Sequence, residues 1–95
     1  MPNYYISAVS RADQHNIARV RAHRVLGSAS VDESGMILTV NQVLLALRQG
    51  ETFMTALRHK KEWQEGQQVQ IDRAIHIRTD GDQEAADSLE NLPEF

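Results

Sequence analysis

The chain contains no cysteine in its 95 residues. Disulfides, thiolate metal sites and thiol nucleophiles are therefore excluded. No apolar run approaches the roughly 20 residues that a membrane-spanning helix requires. The opening Met-Pro-Asn-Tyr-Tyr has neither a basic stretch nor a long apolar one, so no secretory leader is expected. Aromatic residues make up only 5%, which leaves little material for stacking nucleic-acid bases. No internal repeat or low-complexity tract is present.

What remains is ordinary for a globular chain: 41% hydrophobic and 24% charged residues. The length suits one domain spanning residues 1–95, expected to be cytoplasmic. A domain of this size buries about 60–65% of its unfolded surface. Nearly every large apolar residue must then contribute to the core. A homodimer would add burial, so monomer and homodimer both stand.

The net charge of −3 hides an asymmetry. Asp80, Asp82, Glu84, Asp87, Glu90 and Glu94 lie in a C-terminal segment without a single base, while residues 1–79 hold all 10 bases against 7 acids. Such a segment is either a solvated terminus or a cover for a basic surface. Leu89, Leu92 and Phe95 are out of place in a free tail, so residues 80–95 are expected to dock on the body.

Alternation defines the elements. Tyr4–Ser10 is expected to be a strand with Tyr4, Ile6 and Ala8 on one side and Tyr5, Ser7 and Val9 on the other. After the polar residues 11–16, Ile17–Leu26 alternates with Val20 and Ala22 inward and Arg19, Arg21 and His23 outward. A helix competes there, since Ala and Arg are good helix formers. Gly27–Gly35 is a polar loop that lacks the Gly-Lys-Ser/Thr ending of a phosphate loop, and Met36–Leu38 is a short extended lead. Thr39 then caps a helix, with Gln42 placed for a capping box. Val40, Val43, Leu44 and Leu47 form its apolar stripe, and Gly50 ends it. Leu45 falls off that stripe. Beyond lie a short strand at Thr52–Ala56, a charged loop from Arg58 to Gly66, and a hairpin of Gln67–Asp72 with Ala74–Thr79 turning near Asp72-Arg73. The expected fold is thus α+β: a small single domain, ββαβββ, with one amphipathic helix packed on a mainly antiparallel sheet. Val20, Val69, Ile71, Ile75 and Ile77 should meet the helix stripe.

Several blocks resemble a known family. They are Tyr4-Tyr-Ile-Ser-Ala-Val9 at the start, Gly50, Phe53, Trp63 and Gly66 in the middle, and Ile77-Arg-Thr-Asp80, Asp87, Leu89 and Asn91-Leu-Pro-Glu-Phe95 at the end. The chain resembles a family of small bacterial proteins defined only as a domain of unknown function, with a YYISAV-like start and an IRTD…LPEF end. The resemblance spans nearly the whole chain and implies a compact bacterial domain. It brings no activity, cofactor or catalytic residue.

No enzyme motif stands out. His15, His23, His59 and His76 have no metal-ligand spacing among them. Ser28, Ser30 and Ser34 lie in the polar loop without a recognisable histidine partner. No cofactor is expected. The stronger signal is a sheet face on which Arg19, Arg21 and His23 join His76 and Arg78, with Gln68 and Gln70 beside them. Guanidinium forks suit phosphate and carboxylate alike. The alternative is an ordinary polar face with cross-strand charge pairs. The sequence favours a non-catalytic binding or regulatory module with a protein partner. Nucleic-acid or polyanion binding through the basic face is the alternative, and a small enzyme is the weakest reading. No membrane contact is expected.

Overall fold

A computed structural model of the chain describes residues 2–12, 17–27, 30–59, 62–72, 76–79 and 89–95. Tyr4–Arg11 (β1) and Ile17–Gly27 (β2) open the fold, and the competing helix at Ile17–Leu26 does not form. Ser30–Val31 (β3) and Met36–Thr39 (β4) follow, then the helix Val40–Arg48 (α1). Phe53–His59 (β5), Glu62–Asp72 (β6), His76–Thr79 (β7) and a 3-10 turn at Leu89–Asn91 complete it.

The helix starts where the sequence chemistry places it. The Gln42 backbone N–H donates to Thr39 Oγ1 at 3.2 Å, and the Thr39 N–H donates to Gln42 Oε1 at 2.8 Å. Two of the donors that a helix start leaves without intrahelical acceptors are met in this way. Gly50 follows the last turn with a φ of 95°, a conformation that disfavours any residue with a Cβ.

Among the described residues the sheet has seven strands in the order β3-β2-β1-β5-β6-β7, with β4 also on β2. β3 and β4 share the outer edge of β2: Val25 pairs with Val31, while Arg19 to Ala22 pair with Thr39 to Met36. The order ββαβββ therefore understates the first half, because the extended lead at Met36–Leu38 is a paired strand. The sheet is also mixed. Tyr4, Tyr5 and Ile6 run parallel to Phe53, Met54 and Thr55. Asn3 and Thr52 fix that start, with the Asn3 N–H donating to the Thr52 carbonyl at 3.0 Å and the Thr52 N–H donating to Asn3 Oδ1 at 2.8 Å.

The expected loop from Arg58 to Gly66 is corrected as well. β5 runs to His59 and β6 begins at Glu62, with Leu57–Gln64, Arg58–Trp63 and His59–Glu62 paired across the hairpin. Charge concealed these strands, because antiparallel pairing tolerates charged side chains wherever a partner stands opposite. The turn at Asp72-Arg73 falls partly outside the described residues, although Asp72 pairs with His76.

One face of the sheet carries the core. Val43 and Leu44 of α1 pack with Ile6, Val9, Val20, Ala22, Phe53, Val69 and Ile77, all buried, and Val40, Leu47 and Ile71 complete the cluster from its margin. Ile75 lies outside the described residues. Leu89 and Leu92 are also buried in this core, and the Leu89 N–H donates to Thr79 Oγ1 at 3.2 Å. No helix is long and apolar enough to cross a membrane among the described residues.

Candidate functional site: the sheet face opposite the helix

The second face is organised by an irregularity in β1. Tyr5 pairs with His23 and Ile6 with Ala22, but the next partners are Ala8 with Arg21, Val9 with Val20 and Ser10 with Arg19. Ser7 is the extra residue. A bulge sets two residues of one strand against one of the other. Strict alternation is thereby broken: Val9 joins Ile6 in the core, and Ala8 leaves the Tyr4–Ile6 side. Tyr5, Ser7, Ala8 and Ser10 share the second face with Arg19, Arg21 and His23.

Arg19 and Arg21 are exposed there, two residues apart on β2. His23 shares their parity but is only 4% exposed, which corrects the expectation of an outward histidine. Its partners come from elsewhere in the chain. Ser7 Oγ lies 2.7 Å from His23 Nε2, and the Asp32 carbonyl oxygen lies 2.9 Å from Nδ1. A carbonyl can only accept, so Nδ1 carries the proton, and Nε2 of the neutral ring accepts from the Ser7 hydroxyl. The Trp63 ring covers the imidazole with centroids 4.8 Å apart. Gly35 closes the other side at a φ of 71°, where an added Cβ would lie 2.9 Å from His23 Cε1. With both nitrogens engaged, His23 offers no donor to an anion on the surface.

His76 and Arg78 stand on a different strand, β7. Their backbones pair with Asp72 and Gln70 on β6, and their side chains lie outside the described residues. β7 stands four strand steps from β2, about 19 Å along the sheet at ordinary strand spacing. The backbones that carry the five residues singled out from the sequence are thus divided between β2 and β7.

Two other groupings do form. At one end of the face, Arg21 lies between Ile37 of β4 and Ala8 of β1. Its Cζ sits 5.3 Å from the centroid of the Phe95 ring. Ile37 and Phe95 are 47% and 44% exposed. Neither Arg19 nor Arg21 has a carboxylate within ion-pair distance among the described residues, whereas Arg11 bonds Glu94 at 2.9 Å and Arg58 pairs with Glu33.

At the other end, Trp63 is the hub. It contacts His23, lies 5.8 Å from Tyr5, and carries Arg58 Cζ 5.4 Å above its ring. Its Nε1–H is buried with no acceptor among the described residues. Burial raises the Tyr5 phenol above its ordinary pKa, and the Glu65 carboxylate, by its charge and its hydrogen bond, raises it further. Asp32 accepts from the Ser34 hydroxyl at 2.7 Å and the Ser34 N–H at 3.1 Å. These bonds hold its carboxyl below the usual range and brace the turn that presents its carbonyl to His23. A shallow hollow of about 290 Å³ adjoins the cluster, lined by Pro2, Thr52, Met54, Glu65 and Gln68. Among the described residues no three His, Asp or Glu side chains converge to hold a metal ion.

Sequence reasoning named Phe95 as a docking residue and Trp63 within the family resemblance, but placed neither of them, nor Ser7 or Ile37, in a site. Ile37 had a local signal, since Met36 and Leu38 flank it as inward residues. Fold and site together define a small α+β domain whose mixed sheet bears a helix on one face and an Arg- and aromatic-bearing surface on the other. Comparison with protein-family models, with curated proteins and with solved structures gave no match.

Proposed function

We propose that the protein is a small binding module that acts by protein–protein contact, and that its contact surface is the row Ile37, Arg21 and Phe95 with Arg19 beside it. The observation that carries this reading is the Arg21 guanidinium over a half-exposed Phe95 ring, with half-exposed Ile37 on the neighbouring strand. Arginine and aromatic side chains dominate the energetics of protein interfaces, and an apolar neighbour supplies area to desolvate. Stacking on Phe95 restrains the guanidinium before a partner arrives, which lowers the ordering cost of binding. Two arginines with no carboxylate in ion-pair distance among the described residues favour an acidic partner segment, held by charge-assisted hydrogen bonds. A nucleic acid or other polyanion is the alternative occupant, favoured by the same two arginines but not by Ile37.

The test is fluorescence anisotropy with a labelled glutamate-rich peptide containing leucine and with a single-stranded oligonucleotide of equal charge. Wild type, Arg21→Ala and Ile37→Ser are compared at 50 and 200 mM salt. The contact reading expects the peptide to bind and each variant to weaken it about tenfold or more, on the scale of interface hot spots. Oligonucleotide binding that falls steeply with salt and ignores Ile37→Ser would establish the polyanion reading instead. Equal peptide binding by all three proteins, or none at 100 µM, overturns this surface.

A further inference from the structure

The second end of the face supports a different activity, beyond the contact reading and contrary to the expectation of a non-catalytic chain. We infer that Ser7 and His23 form a nucleophile–base pair that accepts a short acyl group from an activated ester.

The geometry has three parts. The first is the pair itself, with Ser7 Oγ 2.7 Å from His23 Nε2. The second is the orienting bond at the far nitrogen: the Asp32 carbonyl at 2.9 Å keeps the proton on Nδ1 and so leaves Nε2 free to receive one. This is the arrangement by which a base, held in one tautomer by a third group, activates a serine. A main-chain carbonyl serves that role here as well as a carboxylate would for orientation. The third is a donor with no acceptor among the described residues, the buried Trp63 Nε1–H in the same cluster. An unfilled donor on the ring that covers the base suits the oxygen that gains negative charge during acyl transfer.

The surroundings fix the pair. The bulge turns Ser7 toward His23, and bulges are common where a side chain must be re-aimed. His23 is clamped between Trp63 and Gly35, so its ring cannot swing away. Ser7 is half-buried rather than sealed. The adjacent Ala8 is small, and the Trp63 ring against His23 and the nearby Tyr5 ring are largely apolar, which favours an uncharged, short acyl chain.

The step balances within these groups. Ser7 Oγ attacks the carbonyl carbon while its proton passes to His23 Nε2. The carbon–oxygen bond to the leaving alcohol breaks, and that oxygen takes the proton from Nε2. A water molecule, deprotonated by the same nitrogen, then attacks the Ser7 ester; the bond to Ser7 Oγ breaks, Oγ takes the proton back from Nε2, and the carboxylic acid leaves.

The probes are a fluorophosphonate, which leaves a stable adduct on an activated serine, and p-nitrophenyl acetate. Peptide mapping of the intact wild-type chain locates any adduct. Ser10→Ala, on the same strand and face, is the control. The inference expects one adduct per chain on Ser7, unchanged by Ser10→Ala. It expects p-nitrophenyl acetate turnover to fall about 100-fold or more in Ser7→Ala and in His23→Gln, the scale of a lost general base. No adduct on the wild type overturns it, as does labelling spread evenly over the serines. Labelling of Ser7 at an unchanged rate in folded His23→Gln overturns it too. The wild-type map decides even where a variant fails to fold.

Discussion

Val9 and Glu94 stand side by side in a parallel bridge. The Val9 N–H donates to the Pro93 carbonyl at 2.9 Å, and the Phe95 N–H donates to the Val9 carbonyl at 3.1 Å. β5 pairs with β1 only as far as Ile6 and Thr55. Past the bulge, the last residues satisfy backbone groups of β1 that β5 no longer reaches, and they bring Phe95 to Arg21. One segment thus fills the core through Leu89 and Leu92 and shapes the proposed contact surface through Phe95.

The first prediction follows from that double role. Leu92→Ala should cost about 2–5 kcal/mol, as for other fully buried leucines. For a domain of this size each kcal/mol lowers the melting temperature by about 4–8 °C. Phe95→Ala should leave the melting temperature within a few degrees while weakening peptide binding at Arg21. Thermal unfolding and anisotropy on the same samples check both.

The helix supplies an internal comparison. Leu44 is 3% exposed and Leu45 is 57% exposed. Leu44→Ala should lose about 2–5 kcal/mol in denaturant unfolding, and Leu45→Ala should stay within about 0.5 kcal/mol. Thr39→Ala removes the cap acceptor and should cost about 0.5–2 kcal/mol.

Three glycines should rank in a fixed order. Gly27→Ala meets open space without a positive φ and should be nearly neutral. Gly50→Ala also meets open space but must hold a left-handed backbone, a cost of about 1–2 kcal/mol. Gly35→Ala carries the same strain and in addition drives a methyl against the His23 ring and the Ala22 carbonyl. It should be the most destabilising of the three. Urea midpoints of the three variants test the order.

Alkaline pH should unfold the protein partly through Tyr5. Its folded pKa is raised above the ordinary 10.0, first by burial and then by Glu65. A raised folded pKa means the contribution is complete below the unfolded value and is lost as pH rises through the folded one. Melting temperature should therefore fall more steeply above pH 10 in wild type than in Tyr5→Phe. Parallel slopes would show that Tyr5 titrates as freely folded as unfolded.

The sequence made some of this structure legible, for local reasons. β2 and α1 are set by their own periodicity, and the Thr39–Gln42 box and Gly50 are signals contained within a few residues. Arg19 and Arg21 were placed outward by simple parity. His23 has the same parity, yet it is buried because Ser7 and Asp32 reach it from 16 and 9 residues away. The Ser7 bulge inserts one residue where alternation assumes none, so every side assigned past Ser7 in β1 was reversed. The β5–β6 hairpin was hidden because Arg58, Glu62 and Glu65 read as loop residues until their cross-strand partners are known. The distance between β7 and the strand of the arginines follows from strand order, which no local pattern encodes.

The parallel pairing of Tyr4 with Phe53 also has a consequence for the nascent chain. β1 finds β2 almost at once, since they are adjacent in sequence. Its other edge must wait for a partner 49 residues on, the separation that also divides Asn3 from Thr52. At about 5–20 residues per second of synthesis, that edge stays open for several seconds, with its backbone donors unpaired beside Tyr4 and Ile6. An open strand edge is a template for unwanted pairing. The vulnerable interval in the life of this protein is thus set on the ribosome and outlasts the synthesis of α1, because β5 follows α1 in the chain.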